Sequence, residues 1–143
     1  NVFMGYLNKP EKTKEAFTDD EYFITGDMGY FDKEGYLFIS GRNKDLIISG
    51  GYNVYPKEIE DIINQFDGII ESAVFGLPDD DLGEIPAAAI VANDNNPNLD
   101  NLKKFIQENL ARYKVPKKYF LLSELPRNVM GKVQKTILKD RYL

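Results

Sequence analysis

A polar, charged stretch, Gly41-Arg42-Asn43-Lys44-Asp45, interrupts the apolar pattern of this chain and reads as a linker between two units of different character. Ahead of it, the first forty residues read as short strands separated by turns. Tyr22-Phe23-Ile24 stands before Thr25-Gly26-Asp27, while Tyr30-Phe31 and Tyr36-Leu37-Phe38-Ile39 flank Asp32-Lys33-Glu34-Gly35, a hairpin loop with glycine at its end. This segment is mostly β. It is too short, and lacks the covering helix, to bury both faces of a sheet by itself.

Beyond the linker the pattern changes. Leu46-Ile47-Ile48 and Tyr52-Asn53-Val54 flank Ser49-Gly50-Gly51 and predict a second tight hairpin. Pro56 then opens a helix whose apolar residues Ile59, Ile62, Ile63 and Phe66 recur at i, i+3, i+4 and i+7, which buries one face. Ile70 to Leu77 and Ile85 to Ala92 are strand candidates joined through the acidic loop Pro78 to Gly83. Asn98 is placed to cap a second helix with Leu99, Leu102, Ile106 and Leu110 on one side, ending before Val115-Pro116. Tyr119 to Leu122 reads as a further strand, Pro126 to Gly131 as a loop, and Gln134 to Tyr142 as a short helix. The predicted fold class of this second unit is α+β, and it is large enough to fold alone.

Composition narrows the chemistry. The 143 residues, 43% of them hydrophobic, suffice for a packed core. They contain neither the roughly 18-residue apolar run of a membrane span nor a basic leader, so a cytoplasmic protein with no membrane insertion is expected. The chain opens on Asn1 with no initiator methionine and no cap, which predicts a piece of a longer polypeptide. With no Cys and no His, disulfides, thiolate or imidazole metal sites, cysteine nucleophiles and Ser-His-Asp triads are excluded within these residues. Electrostatics and positioning by Lys, Arg, Asp, Glu and backbone groups remain, the means by which phosphates are handled. Residues 103–143 carry eleven Lys or Arg against three acids, about +8, which leaves about −13 on residues 1–102. Such a basic third fits a polyanion site and a solvated basic helix face equally well. Nucleic acid is a poor partner for an acidic chain without a basic binding motif.

Three separated segments resemble the late motifs of the superfamily of acyl-CoA synthetases, peptide-synthetase adenylation domains and firefly luciferase. They are Tyr22 through Asp27, Gly41 through Glu60, and Leu125 through Lys135, and their order and spacing also fit. The resemblance implies that residues 1–43 are the last β-rich segment of a large amino-terminal domain. Residues 44–143 would be the carboxy-terminal lid, with a central mixed sheet flanked by helices. In that family the large domain supplies the phosphate-binding loop and the acyl pocket, and the lid closes over them in two orientations. Neither loop nor pocket is in these residues, so the implied partner is that amino-terminal domain, and the isolated chain is expected to be inactive.

Residue by residue, the resemblance carries over as follows. Asp27 is similar to the aspartate that accepts hydrogen bonds from both ribose hydroxyls of ATP, for which a carboxylate has the two oxygens needed; read alone, it is an aspartate in an ordinary turn. Arg42 resembles the arginine that reaches the ribose and phosphates, a use suited to a planar, permanently charged fork; read alone, it is a surface arginine. Lys44 falls where the family has its hinge, which requires no particular side chain, and its plain alternative is a solvated linker lysine. Gly50 and Gly51 resemble the hairpin along which the pantetheine arm of CoA passes, and they also suit a two-residue turn that needs no ligand. Lys132, after Met130-Gly131, resembles the lysine that contacts the carboxylate and the α-phosphate during adenylation; otherwise it is one more cation in a basic tail.

The implied activity joins a small-molecule carboxylic acid to CoA with ATP as the driving reactant, through an acyl-adenylate, releasing AMP and pyrophosphate. Mg²⁺ would be held by the ATP phosphates rather than by this segment. Ser49 to Pro56 looks like acyl-CoA ligases rather than peptide-synthetase domains. Ile48 departs from luciferases and many coumarate ligases, which have lysine there, so no thioester-forming lysine is carried over to that position. The combined motifs look closest to malonyl-CoA synthetases, with medium- and long-chain fatty acyl-CoA ligases next. Two other classes remain open on the sequence: a stand-alone nucleotide- or CoA-binding module, and an adenylation domain that loads a carrier protein.

Overall fold

Alternation along two long strands organises the structure. In β5 (Ile69–Asp79), Ala73, Phe75 and Leu77 face one side and Val74 the other; in β6 (Gly83–Ala92), Ala87, Ala89 and Val91 oppose Ala88 and Ile90. Both faces are therefore apolar, and both must be covered. The computed structural model describes residues 2–93 and 98–143; Asn1, which begins the opening apolar run, and residues 94–97 lie outside them.

The sheet containing these strands is mixed. One edge of β6 pairs with β5 in an antiparallel hairpin, and the other is shared by β3 (Ile47–Ser49), which meets it at Gly83, and β7 (Lys118–Leu121), which runs parallel along Ala87 to Ile90. Outermost, β4 (Tyr52–Val54) pairs with β3. Helices α2 (Pro56–Ile63) and α3 (Leu99–Asn109) cover one face through Ile59, Ile63, Leu102 and Ile106, all fully buried. Helix α4 (Lys135–Tyr142) covers the other through Leu138, with the Tyr142 ring stacked 3.7 Å from that of Phe120. Asn98 caps α3, its side chain accepting the Asn101 N–H at 3.0 Å. The α+β lid-type fold with helices on a mixed sheet is the one the sequence predicts. No helix among the described residues is long and apolar enough to cross a membrane.

Residues 2–42 form a separate, smaller layer: helix α1 (Pro10–Glu15) and a two-stranded antiparallel sheet of β1 (Asp27–Phe31) and β2 (Leu37–Arg42). The Asp32–Gly35 turn lies between β1 and β2, as predicted. Tyr30, Phe31, Leu37, Phe38 and Ile39 are all exposed, so among the described residues this sheet is closely packed on neither face, and it meets α2 across open cavities. A 3-10 turn, Asn43–Asp45, joins it to β3.

Three details differ from the sequence reading. The β-only view of the first residues misses α1, where Pro10 at the first helical position supplies a preset φ. Tyr22 to Ile24 is not a strand; Phe23 makes a single bridge to Phe17 and packs in an aromatic cluster with Phe3. The acidic loop after Leu77 shortens to residues 80–82, because Pro78 and Asp79 continue the ladder against Glu84 and Gly83, and the Asp79 carboxylate accepts the Asp81 and Leu82 N–H groups.

The face under α2 and α3 contains a polar defect, since the Tyr119 hydroxyl is buried with no hydrogen-bond partner among the described residues. Burial pushes its pKa up to about 12. Folded Tyr119 thus resists ionising where the unfolded side chain, with its ordinary value near 10, gives up its proton, and stability falls as pH rises from about 10 to 12. Tyr119→Phe should raise stability by about 1 kcal/mol at neutral pH and flatten that alkaline decline, as measured by urea denaturation across pH 7–12.

Candidate functional site

The β1–β2 ladder places Asp27 directly opposite Arg42. The Arg42 Nε donates to Asp27 Oδ1 at 2.8 Å, and the Asp27 side chain is 29% exposed while that of Arg42 is 55% exposed. One oxygen and several lone pairs of Asp27 remain available beside this bond. Its backbone is held too, the Asp27 N–H donating to Thr25 Oγ1 at 3.0 Å. The pair lines a cavity of about 330 Å³ together with Gly41, Asp45, Pro56, Lys57, Glu60 and Lys135, and so between the small sheet, α2 and the first residue of α4.

Lys44 follows within the 3-10 turn, exposed and without an ion pair among the described residues. Its side chain borders a smaller space of about 120 Å³ with Glu84, Lys135, Thr136 and Lys139. Lys135 thus stands at both cavities. Its ammonium is fixed at 2.6 Å by Glu60, whose same oxygen accepts the Val74 N–H at 2.8 Å, so one carboxylate ties α2, β5 and the start of α4.

Gly50 and Gly51 make the two-residue turn between β3 and β4, both in the left-handed region with φ of 56° and 80°. The Gly50 N–H donates to the Leu82 carbonyl at 2.9 Å. Beside them, Tyr52 stacks on Tyr113 at 4.6 Å, and Ser49, Leu82, Arg112 and Lys117 complete a cavity of about 410 Å³. Lys114 is anchored there by Glu58 at 2.6 Å; burial disfavours its charge, but the carboxylate outweighs that and raises its pKa.

Lys132 is exposed on the loop before α4 and has no ion pair among the described residues. It lines neither the cavity of Asp27 and Arg42 nor that beside Gly50. The structure therefore joins Asp27, Arg42 and the Lys44 turn in one region, and sets the glycine hairpin and Lys132 in two others.

Lys135, Glu60, Arg112 and Lys117 were not singled out from the sequence. Lys135 lies within the Leu125–Lys135 motif, and that position was a usable signal; the pairing with Glu60, 75 residues away, left none. The basic third of the chain also resolves. Lys103, Lys104, Lys114, Arg127, Lys135 and Lys139 each pair with a carboxylate, whereas Arg112, Lys117, Lys118, Lys132 and Arg141 have none among the described residues.

Comparison with known proteins agrees with this fold. A family model described as the AMP-binding enzyme C-terminal domain matches residues 58–132. The chain is 50% identical over 137 residues to the long-chain-fatty-acid–CoA ligase FadD13 of Mycobacterium tuberculosis, covering 96% of this chain and 27% of that protein. ATP-bound MatB from Rhodopseudomonas palustris superimposes with a TM-score of 0.88 at 49% identity, over 99% of this chain and 28% of that one. Apo MatB, over the same share at the same identity, gives 0.72. The o-succinylbenzoate CoA synthetase MenE from Bacillus subtilis, in complex with the acyl-adenylate OSB-AMP, gives 0.91 at 38% identity, over 98% of this chain and 28% of that one. The chain thus spans under a third of the length of the relatives it matches.

If the hairpin turn is as tight as its φ angles require, Gly51→Ala should cost about 1 kcal/mol of left-handed strain. Gly50→Ala should cost more, because its new methyl meets Leu82 Cδ2 at 3.2 Å. Urea denaturation of the two variants ranks them.

Proposed function

This chain belongs to the family of AMP-binding enzyme C-terminal domains, and on that premise we propose that it is the lid-bearing part of an AMP-forming acyl-CoA synthetase. Residues 1–43 would close the large domain, and residues 44–143 would be the lid. The observation that carries the reading is the Asp27–Arg42 pair at 2.8 Å, placed directly ahead of the Lys44 turn. The uncovered β1–β2 sheet supports a further body of protein against it.

In this reading the substrates are a carboxylic acid, ATP and CoA, and the acid is a malonyl or a medium- to long-chain fatty one. Arg42 orients the Asp27 carboxylate through Nε, leaving oxygen lone pairs to accept the ribose hydroxyls of ATP. A carboxylate oxygen of the acid attacks the α-phosphorus, a new P–O bond forms, and pyrophosphate leaves with the electrons of the bond that breaks. Lys132 brings a positive charge to the acid carboxylate and the α-phosphate as negative charge builds up there. Mg²⁺ would be held by the ATP phosphates and would offset their charge, and no residue of this chain is assigned to it.

The lid then turns about Lys44, Lys132 departs, and the Gly50-Gly51 hairpin lines the path of the pantetheine arm. The CoA thiol gives its proton to solvent, its sulfur attacks the acyl carbon to form the C–S bond, and AMP leaves with the electrons of the acyl C–O bond that breaks. The difference between 0.88 and 0.72 for two structures of one relative supports two arrangements of these units.

Two variants of the full-length protein test this. Lys132→Ala should reduce carboxylate-dependent pyrophosphate exchange by about 10²-fold or more while sparing thioester formation from supplied acyl-adenylate; equal loss of both contradicts the assignment. Lys44→Pro, which fixes φ at the hinge, should do the reverse, retaining pyrophosphate exchange and blocking thioester formation. Retention of both steps removes the hinge from Lys44.

A further inference from the structure

The loop that carries Lys132 is shaped almost entirely by polar bonds. Val129 and Met130 at its tip are exposed, so apolar packing holds only the base of the loop, at Leu125 and Val133, and not the tip. Internally it is closed by Asn128, whose Oδ1 accepts the Met130 and Lys132 N–H groups, both at 3.0 Å, and whose N–H donates to the Lys132 carbonyl at 2.9 Å. Those bonds fix the shape of the turn but not its direction relative to the lid.

Direction comes from Arg127. One arm of its guanidinium, Nη1, donates to the Gly131 carbonyl at 2.7 Å, the peptide immediately ahead of Lys132. The other arm, Nη2, donates to the Glu71 carboxylate at the start of β5. A planar fork holds the strand and the loop from two nitrogens in one fixed plane, whereas an ammonium must reach both acceptors from a single nitrogen with no preset direction. Glu71 is partly buried, and its partner would otherwise be a half-exposed side chain with several rotamers.

We propose that Glu71 and Arg127 are positioning residues for Lys132, fastening its loop to the central sheet so that the lysine meets the nucleotide in a preset direction. The inference rests on the reading that Lys132 acts in adenylation. Loss of the Glu71 carboxylate frees the Arg127 guanidinium, the loop pivots about its closing bonds, and the lysine charge is misplaced when charge builds up on the α-phosphate. Small misplacements of this kind are costly to rate and not to ground-state binding.

The test uses the full-length protein with Glu71→Gln, Arg127→Lys, the charge swap Glu71→Arg with Arg127→Glu, and Lys132→Ala in parallel. Glu71→Gln and Arg127→Lys should each lower kcat of pyrophosphate exchange about tenfold, with KM for ATP and acid, thioester formation from acyl-adenylate, and Tm close to those of the parent. The swap remakes the ion pair, but the carboxylate it puts at position 127 has no donor for the Gly131 carbonyl, so exchange should stay low. Restoration of exchange by the swap overturns the proposal, since pairing alone would then suffice. Parent-like exchange in Glu71→Gln and Arg127→Lys, beside a failed Lys132→Ala, also overturns it and leaves the role of Lys132 standing. Loss of both half-reactions equally assigns the pair to stability and overturns it too. Retained exchange in Lys132→Ala instead overturns the reading beneath it.

Discussion

Burial of β6 on both faces is the constraint from which the rest of the architecture follows. From Ile85 to Val91 the strand has no polar side chain, and its backbone groups must all find partners in neighbouring strands. Two strands supply them, β5 along one edge and β7 along the other, while β3 meets β6 just ahead of this run at Gly83. Because β7 is parallel to β6, the chain must cross over between them, and α3 makes that crossing over the face it covers. The run Ala87-Ala88-Ala89 adds almost no bulk, which lets α2 and α3 on one side and the Phe75–Phe120–Tyr142 stack on the other approach the same strand closely.

Charge then fixes what packing leaves free. Cations from the last forty residues reach back to acids contributed by the middle of the chain: Lys114 to Glu58, Lys135 to Glu60, Arg127 to Glu71, Lys139 to Glu84. Such half-buried pairs add little net stability, since desolvation offsets much of the attraction, but their geometry is specific. Each one ties a loop or a helix end to α2 or to the sheet. Lys132, sitting between Arg127 and Lys135, is held at both flanks and left unpaired itself among the described residues, which suits a cation that meets an anion from outside the chain.

Much of the lid was legible in the sequence because its signals are local. The period of Ile59, Ile63 and the cap at Asn98 specify their helices directly, and Gly50-Gly51 specifies a two-residue turn. Asp27 and Arg42 could be nominated only by motif, since the register that sets them face to face belongs to pairing between strands, not to either strand. The pairings of Glu60, the last residue of the second motif, and of Glu71 were invisible for the same reason: their partners lie 75 and 56 residues away, and a glutamate on a helix or strand surface carries no mark of what folds against it. Helix α1 was missed because it is six residues long and has no buried face to impose a period.

The central claim is that Asp27, oriented by Arg42, receives the ribose of an adenylate. A crystal structure of the full-length protein with a non-hydrolysable acyl-sulfamoyl adenosine tests it directly. The account predicts both ribose hydroxyls donating to the Asp27 carboxylate at about 2.6–3.2 Å, with the Arg42 Nε bond retained. A ribose held by other residues, with Asp27 bonded to Arg42 alone, would contradict it.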